Sequence, residues 1–356
     1  TVNGFGFPYL NVFQNGIGTA GQTLQTIPGT ILLPVRATPP SRYIPLTLPG
    51  APNVPLKFDP RFFPTMPSDV PGPGALSAAD VQTVLTQAAV AAFRTRAAIR
   101  VGQNQPVQVN ISVVSPSGKL LGLVSTADAP EFGFDVCVQK ARTAAFFSLP
   151  NAGQTLANTP DPNANMANVV DPPLSGTGTL KRYTDRFAQD GILFNGGIFF
   201  SSRAMGFLTT PFLPDGDDNR PAAAGSKNIV RWNIFNVGLQ LVLDLQALRN
   251  ILGGAPQIGC TAIPNLPNGI QPFAGGGVLV RNGVLVGAIG ISGDGIDQDD
   301  IIHATGATGF VPPGGSQATP PNCGMGLAAP CGKSADNFFV RGLRMPYTRF
   351  PRNPNL

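Results

Sequence analysis

Residues 273–304 read FAGGGVLVRNGVLVGAIGISGDGIDQDDIIHA, and this stretch decides more of the fold than any other. Asn282-Gly283 separates two apolar runs, at 277–281 and 284–291. Asn-Gly in this setting favours a two-residue type I′ turn, because both turn residues need a positive φ. An acidic segment follows, and acidic side chains stabilise the positive N-terminal end of a helix. The stretch therefore predicts a β-hairpin followed by a helix.

Residues 76–148 hold the second informative pattern. Ser77, with Asp80 three residues later, is a capping-box variant that opens a helix. Apolar residues then recur at helical spacing: Val81, Val84, Leu85, Ala88, Ala92 and Phe93. This pattern predicts an amphipathic helix.

Two strands and a second helix follow within the same stretch. Alternating apolar and polar residues at 107–113 predict a half-buried strand, which returns at 120–125 after a Ser-Pro-Ser-Gly turn. Residues 135–147 predict another helix. The predicted order along the chain is helix, hairpin, helix, hairpin, helix.

Three motifs in this order resemble the haem-binding GlcG/HbpS-like family, also called the haem-degrading domain. They are LSAADVQTVLTQAA at 76–89, KARTAAFFS at 140–148 and GGGVLVRNGVLVGAIGISGDGIDQDD at 275–300. The matching stretches, 76–148 and 273–305, cover less than a third of the chain. The resemblance implies an antiparallel sheet with helices against it, ring-like oligomers, and haem in a shallow or interfacial pocket.

A long insert separates this chain from the compact family members, which pass quickly from the second helix to the closing hairpin. Here residues 149–272 intervene. Two of its pieces resemble a longer, secreted branch of the family: FFSSRAMGFLTTPFLPDGDDNRP at 199–221 and WNIFNVGLQLVLDLQALRNI at 232–251.

We predict an α+β fold: an antiparallel sheet of about five strands with packed helices, elaborated by irregular segments. These segments are a Pro/Gly-rich N-terminal arm at 1–74, the insert at 149–272 within a core at 75–309, and a Pro/Gly-rich tail at 310–356. Short apolar pieces of the arm, among them 43–48, predict edge strands or an extended arm. Such an arm lies on its own domain or on a neighbouring subunit.

Composition narrows the class of protein. Only 12% of the residues are charged, while Gly 43 and Pro 37 predict many turns. The hydrophobic share of 42% excludes ordinary disorder. The net charge of +5 is spread without a basic run, which argues against nucleic-acid binding. No apolar run is long enough to predict a membrane span.

The first residue is Thr rather than Met, which predicts removal of a signal peptide and a secreted protein, with the periplasm as second choice. Four cysteines in an exported chain favour disulfides. Cys323 and Cys331 flank a Gly/Pro-rich loop and predict a local bridge. Cys137 either pairs with Cys260, joining the insert to the core, or is a small buried residue.

The haem implied by the resemblance needs an iron ligand and polar contacts. His303, the single histidine, is the candidate ligand, and the alternative is an ordinary helix residue. A Tyr, a Met or a carboxylate could hold the iron instead, but no spacing selects one of them. Lys140 and Thr143 lie on the helix that borders the pocket region in the family, so they are candidates to contact a propionate or carboxylate. In the alternative, Lys140 is solvated and Thr143 packs against the sheet.

Two acidic clusters are candidate calcium sites, because calcium prefers oxygen ligands. The first contains Asp215, Asp217 and Asp218, and the second contains Asp294, Asp297, Asp299 and Asp300. Neither has EF-hand spacing. Helix capping by Asp297 explains the second cluster, and a turn explains the first about as well as calcium does.

These observations favour an exported haem-binding or haem-handling protein that forms homo-oligomers. The alternative is a structural subunit of an extracellular assembly or filament, joined through its N-terminal arm and without catalytic activity. An enzyme acting on a small organic acid is a weaker third hypothesis, resting on family neighbourhood alone. The sequence contains no nucleophile elbow, Walker A loop or dinucleotide fingerprint.

Overall fold

The computed structural model describes residues 25–27, 30–32, 43–62, 64–102, 104–159, 179–194, 198–209, 239–240, 242–243, 261–310, 339–341 and 343–345. Within these ranges the fold is α+β, as predicted. The helices are α1 (Ala78–Arg94), α2 (Gly133–Phe147), α3 (Ala152–Asn158), α4 (Thr179–Gln189), α5 (Ser202–Leu208) and α6 (Ile296–Gly306). The strands are β1 (Gln25–Ile27), β2 (Thr30–Leu32), β3 (Ile44–Leu48), β4 (Ala51–Phe58), β5 (Val109–Val114), β6 (Leu120–Thr126), β7 (Gly276–Arg281), β8 (Val284–Gly293), β9 (Phe339–Val340) and β10 (Leu343–Arg344).

The main sheet contains six strands in the order β3-β4-β6-β5-β8-β7, and every neighbouring pair is antiparallel. The sequence predicted a sheet of about five strands. The sheet is wider because β3 and β4 join it from the N-terminal segment. β4 reaches the core by pairing with β6, with Leu56 opposite Thr126. Residues 44–58 are therefore strands at the edge of the chain's own sheet.

The predicted start of the first helix is confirmed. Ser77 Oγ accepts the Asp80 N–H at 3.1 Å, and the Asp80 carboxylate accepts the Ser77 N–H at 2.8 Å. This reciprocal pair is a capping box, which satisfies two backbone donors at the helix start. Of the apolar positions predicted to face the core, all are buried except Phe93, which is 44% exposed.

The predicted type I′ turn is also confirmed. Asn282 has φ of 53° and Gly283 has φ of 76°. Positive φ at both turn residues matches the right-handed twist of the strands that they join. The turn sets the β7–β8 register, with Arg281 opposite Val284.

The sheet is covered on both faces. α1 and α6 pack together on one face, and α2 packs on the other against β5, β7 and β8. β5 is consequently buried at every position, so the prediction of a half-buried strand is wrong. Its polar residues find internal acceptors: Asn110 Nδ2 donates to the Pro130 carbonyl at 2.8 Å, and Ser112 Oγ to the Gly290 carbonyl at 3.4 Å.

The described part of the insert builds a second apolar cluster beyond the end of α2. Phe146 and Phe147 lead into it with their rings edge to face, 5.1 Å apart. Its other members come mainly from α3, α4 and α5, and they include Tyr183, Phe187, Phe200, Leu156 and Met205. The insert therefore continues the core and places α5 beside β7.

Several predictions lie outside the described residues. These include the acidic cluster of Asp215, Asp217 and Asp218, together with Cys260, Cys323 and Cys331. Most of residues 1–42 and of the tail also lie outside, so the arm-mediated assembly stays a prediction. Among the described helices, none has the length and apolar character needed to cross a membrane.

Candidate functional site

Helix α6 brings three ionisable side chains into the interior. Asp299, Asp300 and His303 are 1%, 2% and 3% exposed. The acidic start of this helix is confirmed, but the prediction that Asp297 caps it is wrong. The N-cap is Gly295, and no side chain makes a capping hydrogen bond. Asp297 lies inside the first turn, where its negative charge interacts favourably with the positive end of the helix dipole.

Lys140 on α2 forms a buried ion pair with Asp299 on α6. The Lys140 Nζ lies 2.8 Å from Asp299 Oδ2, and both side chains are 2% exposed. Because α2 and α6 lie on opposite faces of the sheet, this pair joins the two helical layers. Burial raises the pKa of Asp299 above its ordinary value, although the positive charge of Lys140 acts in the opposite direction.

Side chains complete the hydrogen bonding where β7 begins. Ile291 donates its N–H to the Gly275 carbonyl at 2.7 Å, while its own carbonyl accepts from Lys140 Nζ at 2.8 Å. The Gly275 N–H goes to Asp300 Oδ1 at 2.8 Å, and the Gly276 N–H to Ser202 Oγ at 2.9 Å. The polar cluster therefore satisfies backbone groups that the β7–β8 ladder leaves open.

His303 faces Asp300 one turn away along α6. The distance from His303 Nδ1 to Asp300 Oδ1 is 3.3 Å, but the N–H is not aimed well enough for a hydrogen bond. Burial acts to raise the pKa of Asp300. His303, Arg203 and the Gly275 N–H outweigh burial, so the pKa of Asp300 lies below its ordinary value.

Three consecutive glycines make room for this cluster. A Cβ at Gly275 would lie 2.7 Å from the Asp299 Cβ. A Cβ at Gly276 would lie 2.5 Å from the Lys140 carbonyl oxygen, and one at Gly277 would lie 2.5 Å from His303 Cδ2. The glycines at the start of β7 thus allow close packing, and the imidazole lies directly on the Gly277 backbone.

Arg203 links α5 of the insert to α6. Its Nη2 donates to Asp297 Oδ1 at 2.7 Å, and its Nε lies 2.7 Å from Asp300 Oδ2 without good hydrogen-bond alignment. Its side chain is 25% exposed, so Arg203 connects the buried carboxylate of Asp300 to the surface. No local sequence pattern indicates a role for Arg203, because Asp297 is 94 positions further along the chain.

The structure brings two of the three predicted haem contacts to one cluster. His303 and Lys140 both lie beside the contact between Gly275 and Asp300. Lys140 is buried, so the alternative that it is solvated is wrong. Thr143 lies one turn along α2, where its Oγ donates to the Gln139 carbonyl at 2.7 Å and accepts the Gln271 N–H at 2.8 Å. Asp299, Asp300 and Ser202 complete the cluster. The two acids were predicted as candidate calcium ligands rather than as part of a haem site, and Ser202 was not predicted as a site residue.

The acids of the second candidate calcium cluster bind protein groups instead. Asp294 pairs with Arg100, and the other three pair with Arg203, Lys140 or His303 as described above. No group of three or more His, Cys, Asp or Glu side chains in the described ranges is arranged to hold a metal ion.

Cys137 is a free, fully buried cysteine on α2. Burial raises the pKa of its thiol to about 12. Because Cys137 is free, the predicted Cys137–Cys260 bridge is not formed in this structure, and the alternative of a small buried residue is the one observed. Cys323 and Cys331 lie outside the described residues, so the bridge between them stays a prediction.

Solved structures similar to this chain include a family-model protein and a haem complex. A Klebsiella pneumoniae protein, ORFY of family model DUF336, aligns at 15% identity over 68% of this chain and 95% of its own, with a TM-score of 0.31. A PduOC:heme complex aligns at 18% identity over 66% of this chain and 94% of its own, with a TM-score of 0.28. No family model matches the chain, and no curated protein matches it. Because both TM-scores are low, the function proposed below rests on this chain's own residues.

Proposed function

We propose that this protein binds haem, with His303 as the iron ligand and Asp300 as the residue that positions it. The observation that carries the proposal is the buried His303–Asp300 pair, with 3.3 Å between Nδ1 and Oδ1. The pair lies at the end of the motif that most resembles the haem-binding family. A carboxylate at one ring nitrogen is the usual second contact of a metal-binding histidine, because it orients the other nitrogen.

The donor chemistry fits a haem iron. Imidazole is a common axial ligand, and a bound haem would supply a redox-active iron centre. With Nδ1 turned to Asp300, Nε2 is the nitrogen left for the metal. In this conformation Nε2 faces Gly277, 2.6 Å from where a Cβ would be, so the ring must turn away from β7 before iron can bind.

The other two predicted haem contacts have internal partners. Lys140 Nζ is held by Asp299 and the Ile291 carbonyl, and Thr143 Oγ is held by Gln139 and Gln271. The proposal therefore assigns neither Lys140 nor Thr143 to a propionate group.

Titration of the full chain with haemin tests the proposal. We expect a saturable Soret band at one haem per chain. His303→Ala should abolish the band or shift its position, and Asp300→Asn should weaken binding by about 10–100-fold. Lys181→Ala, at an exposed position on α4, is the matched control and should bind as the unaltered protein does.

Two results would contradict different parts of the proposal. Absence of a saturable band in the unaltered protein would exclude haem binding. A normal band in a folded His303→Ala variant would leave haem binding intact and exclude His303 as the ligand. Far-ultraviolet circular dichroism of each variant establishes that it is folded.

One observation favours the second candidate function, a subunit of an extracellular assembly. Among the described strands, β1 and β2 pair only with each other. An isolated two-stranded hairpin is at best marginally stable in water, so it requires a surface to pack on. A neighbouring subunit would supply such a surface, and deletion of residues 1–42 tests this, as described in the Discussion.

A further inference from the structure

The Lys140–Asp299 pair places an amine and a carboxyl group in contact where water is excluded. Their nitrogen and oxygen are 2.8 Å apart, and each side chain is 2% exposed. Reacting groups held in contact behave as though their concentration were many orders of magnitude above that in solution. A closed site also suppresses hydrolysis of the product.

We propose that Lys140 and Asp299 condense into an isopeptide bond, a side-chain amide that joins α2 covalently to α6. The bond would connect the two helical layers at the start of β7. It concerns residues that the proposed haem function does not use, so the two proposals stand or fall separately.

The reaction balances without a co-reactant. One proton first passes from the Lys140 ammonium to the Asp299 carboxylate across their hydrogen bond, giving a neutral amine and a neutral acid. The amine nitrogen then attacks the carboxyl carbon, a C–N bond forms, a C–O bond breaks, and the nitrogen gives one of its protons to the departing hydroxyl. One molecule of water leaves, with its oxygen from Asp299. The condensation changes no oxidation state, so it needs no oxidant or reductant.

The surroundings favour the neutral acid from which the reaction starts and the amide that it forms. Burial raises the pKa of Asp299, which favours the neutral acid that the first step requires. Asp299 Oδ1 has no hydrogen-bond partner within the described structure, although it is buried. An amide oxygen is less costly to bury without a partner than a charged carboxylate oxygen.

The product also keeps the contact that matters to the sheet. Lys140 Nζ now donates to the Ile291 carbonyl at 2.8 Å. An amide nitrogen in the same place retains one N–H, which is enough to satisfy that carbonyl. Gly275 leaves room for Lys140 Nζ to approach the Asp299 carboxyl group, since a Cβ on Gly275 would lie 3.2 Å from Nζ.

A covalent link here would close a loop that contains the whole insert. The linked residues are separated by 159 positions along the chain. Cross-links that close long loops reduce the entropy of the unfolded chain most. The bond would therefore stabilise the arrangement of α2, the insert and α6 relative to the unfolded state.

Intact-mass spectrometry of the purified, reduced and alkylated full chain tests the proposal. We expect a mass lower by one water molecule than that calculated for the sequence with its cysteines alkylated. A tryptic digest should yield a branched peptide that joins the segments containing Lys140 and Asp299. Lys140→Arg keeps the positive charge but cannot form this amide, so its mass should equal the calculated value.

The chain supplies a matched internal control. Lys181 Nζ and Asp185 Oδ2 on α4 are likewise in contact, 2.5 Å apart, but the two side chains are 70% and 50% exposed. Their peptides should be unmodified in the same digest, because water reaches this pair. The proposal would be overturned if the unaltered protein had the calculated mass, with no water lost. It would also be overturned if Lys140 and Asp299 appeared in separate peptides. Both outcomes are decisive even if the variant fails to fold.

Discussion

Adjacent glycines in β7 allow a test of how tightly the site is packed. In Gly276→Ala the new Cβ would lie 2.5 Å from the Lys140 backbone oxygen and 2.7 Å from Ser202 Oγ. In Gly277→Ala it would lie 2.5 Å from His303 Cδ2 and 2.6 Å from Nε2. Ordinary van der Waals contact begins at 3.4 Å, so either variant forces a displacement of nearly an ångström. The two differ in what must move: main chain in the first and a side chain in the second.

The expected free energies of unfolding follow from this difference. Without any clash, alanine would stabilise a strand by about 0.5–1 kcal/mol relative to glycine. Overpacking a filled interior costs about 1–3 kcal/mol, occasionally more. For Gly276→Ala we expect a net loss of about 2 kcal/mol, near the upper end of this range, because α2 cannot retreat without opening its contact with the sheet. For Gly277→Ala we expect about 1 kcal/mol, because the imidazole can swing aside.

Urea unfolding followed by circular dichroism measures both losses, with the slope against urea checked for constancy. Since the chain has one histidine, a single imidazole C2–H resonance reports the ring directly. We expect that resonance to shift strongly in Gly277→Ala and weakly in Gly276→Ala. The described packing would be refuted if Gly277→Ala lost as much free energy of unfolding as Gly276→Ala, or more. It would also be refuted if the imidazole resonance did not shift in Gly277→Ala.

Three further predictions concern other parts of the molecule. Ser77→Ala removes the capping box of α1 and should lower the free energy of unfolding by about 1 kcal/mol in the same urea experiment, whereas an unchanged midpoint would contradict the cap. Because burial raises the pKa of the Cys137 thiol to about 12, iodoacetamide at neutral pH should label the Cys137 peptide only after unfolding, and rapid labelling of the folded protein would be inconsistent with its burial. Deletion of residues 1–42 should reduce the particle size measured by light scattering if the arm joins subunits, while deletion of the C-terminal residues 346–356 serves as control; an unchanged size would exclude assembly through the arm.

The features that the sequence predicted correctly are local ones. The α1 cap depends on Ser77 and Asp80, three residues apart, and the hairpin turn depends on Asn282 and Gly283 alone. In each case neighbouring residues determine the backbone conformation, and the surrounding fold agrees with them. Local patterns of this kind were sufficient to predict the order of helices and hairpins.

The features that the sequence did not predict depend on distant contacts. β5 alternates as a half-buried strand does, and only the docking of α2 on its polar face buries Asn110 and Ser112. The Lys140–Asp299 pair has no local signal, so Lys140 was predicted to contact a ligand or solvent. Asp300 and His303 do show the i,i+3 spacing of neighbours on a helix, but the surrounding acids were interpreted as a cap or a calcium site.

The pairing of Lys140 with Asp299 also limits how a sequence of this kind can change over generations. Loss of either residue alone would leave a buried charge without its partner, which typically destabilises a protein by about 3–5 kcal/mol. That amount is a large share of the stability of most folded domains. We therefore expect descendants of this sequence to keep both residues or to replace both together with apolar ones. The lysine of the KARTA motif would then be inherited for the integrity of the fold, even in lineages that bind no ligand at all.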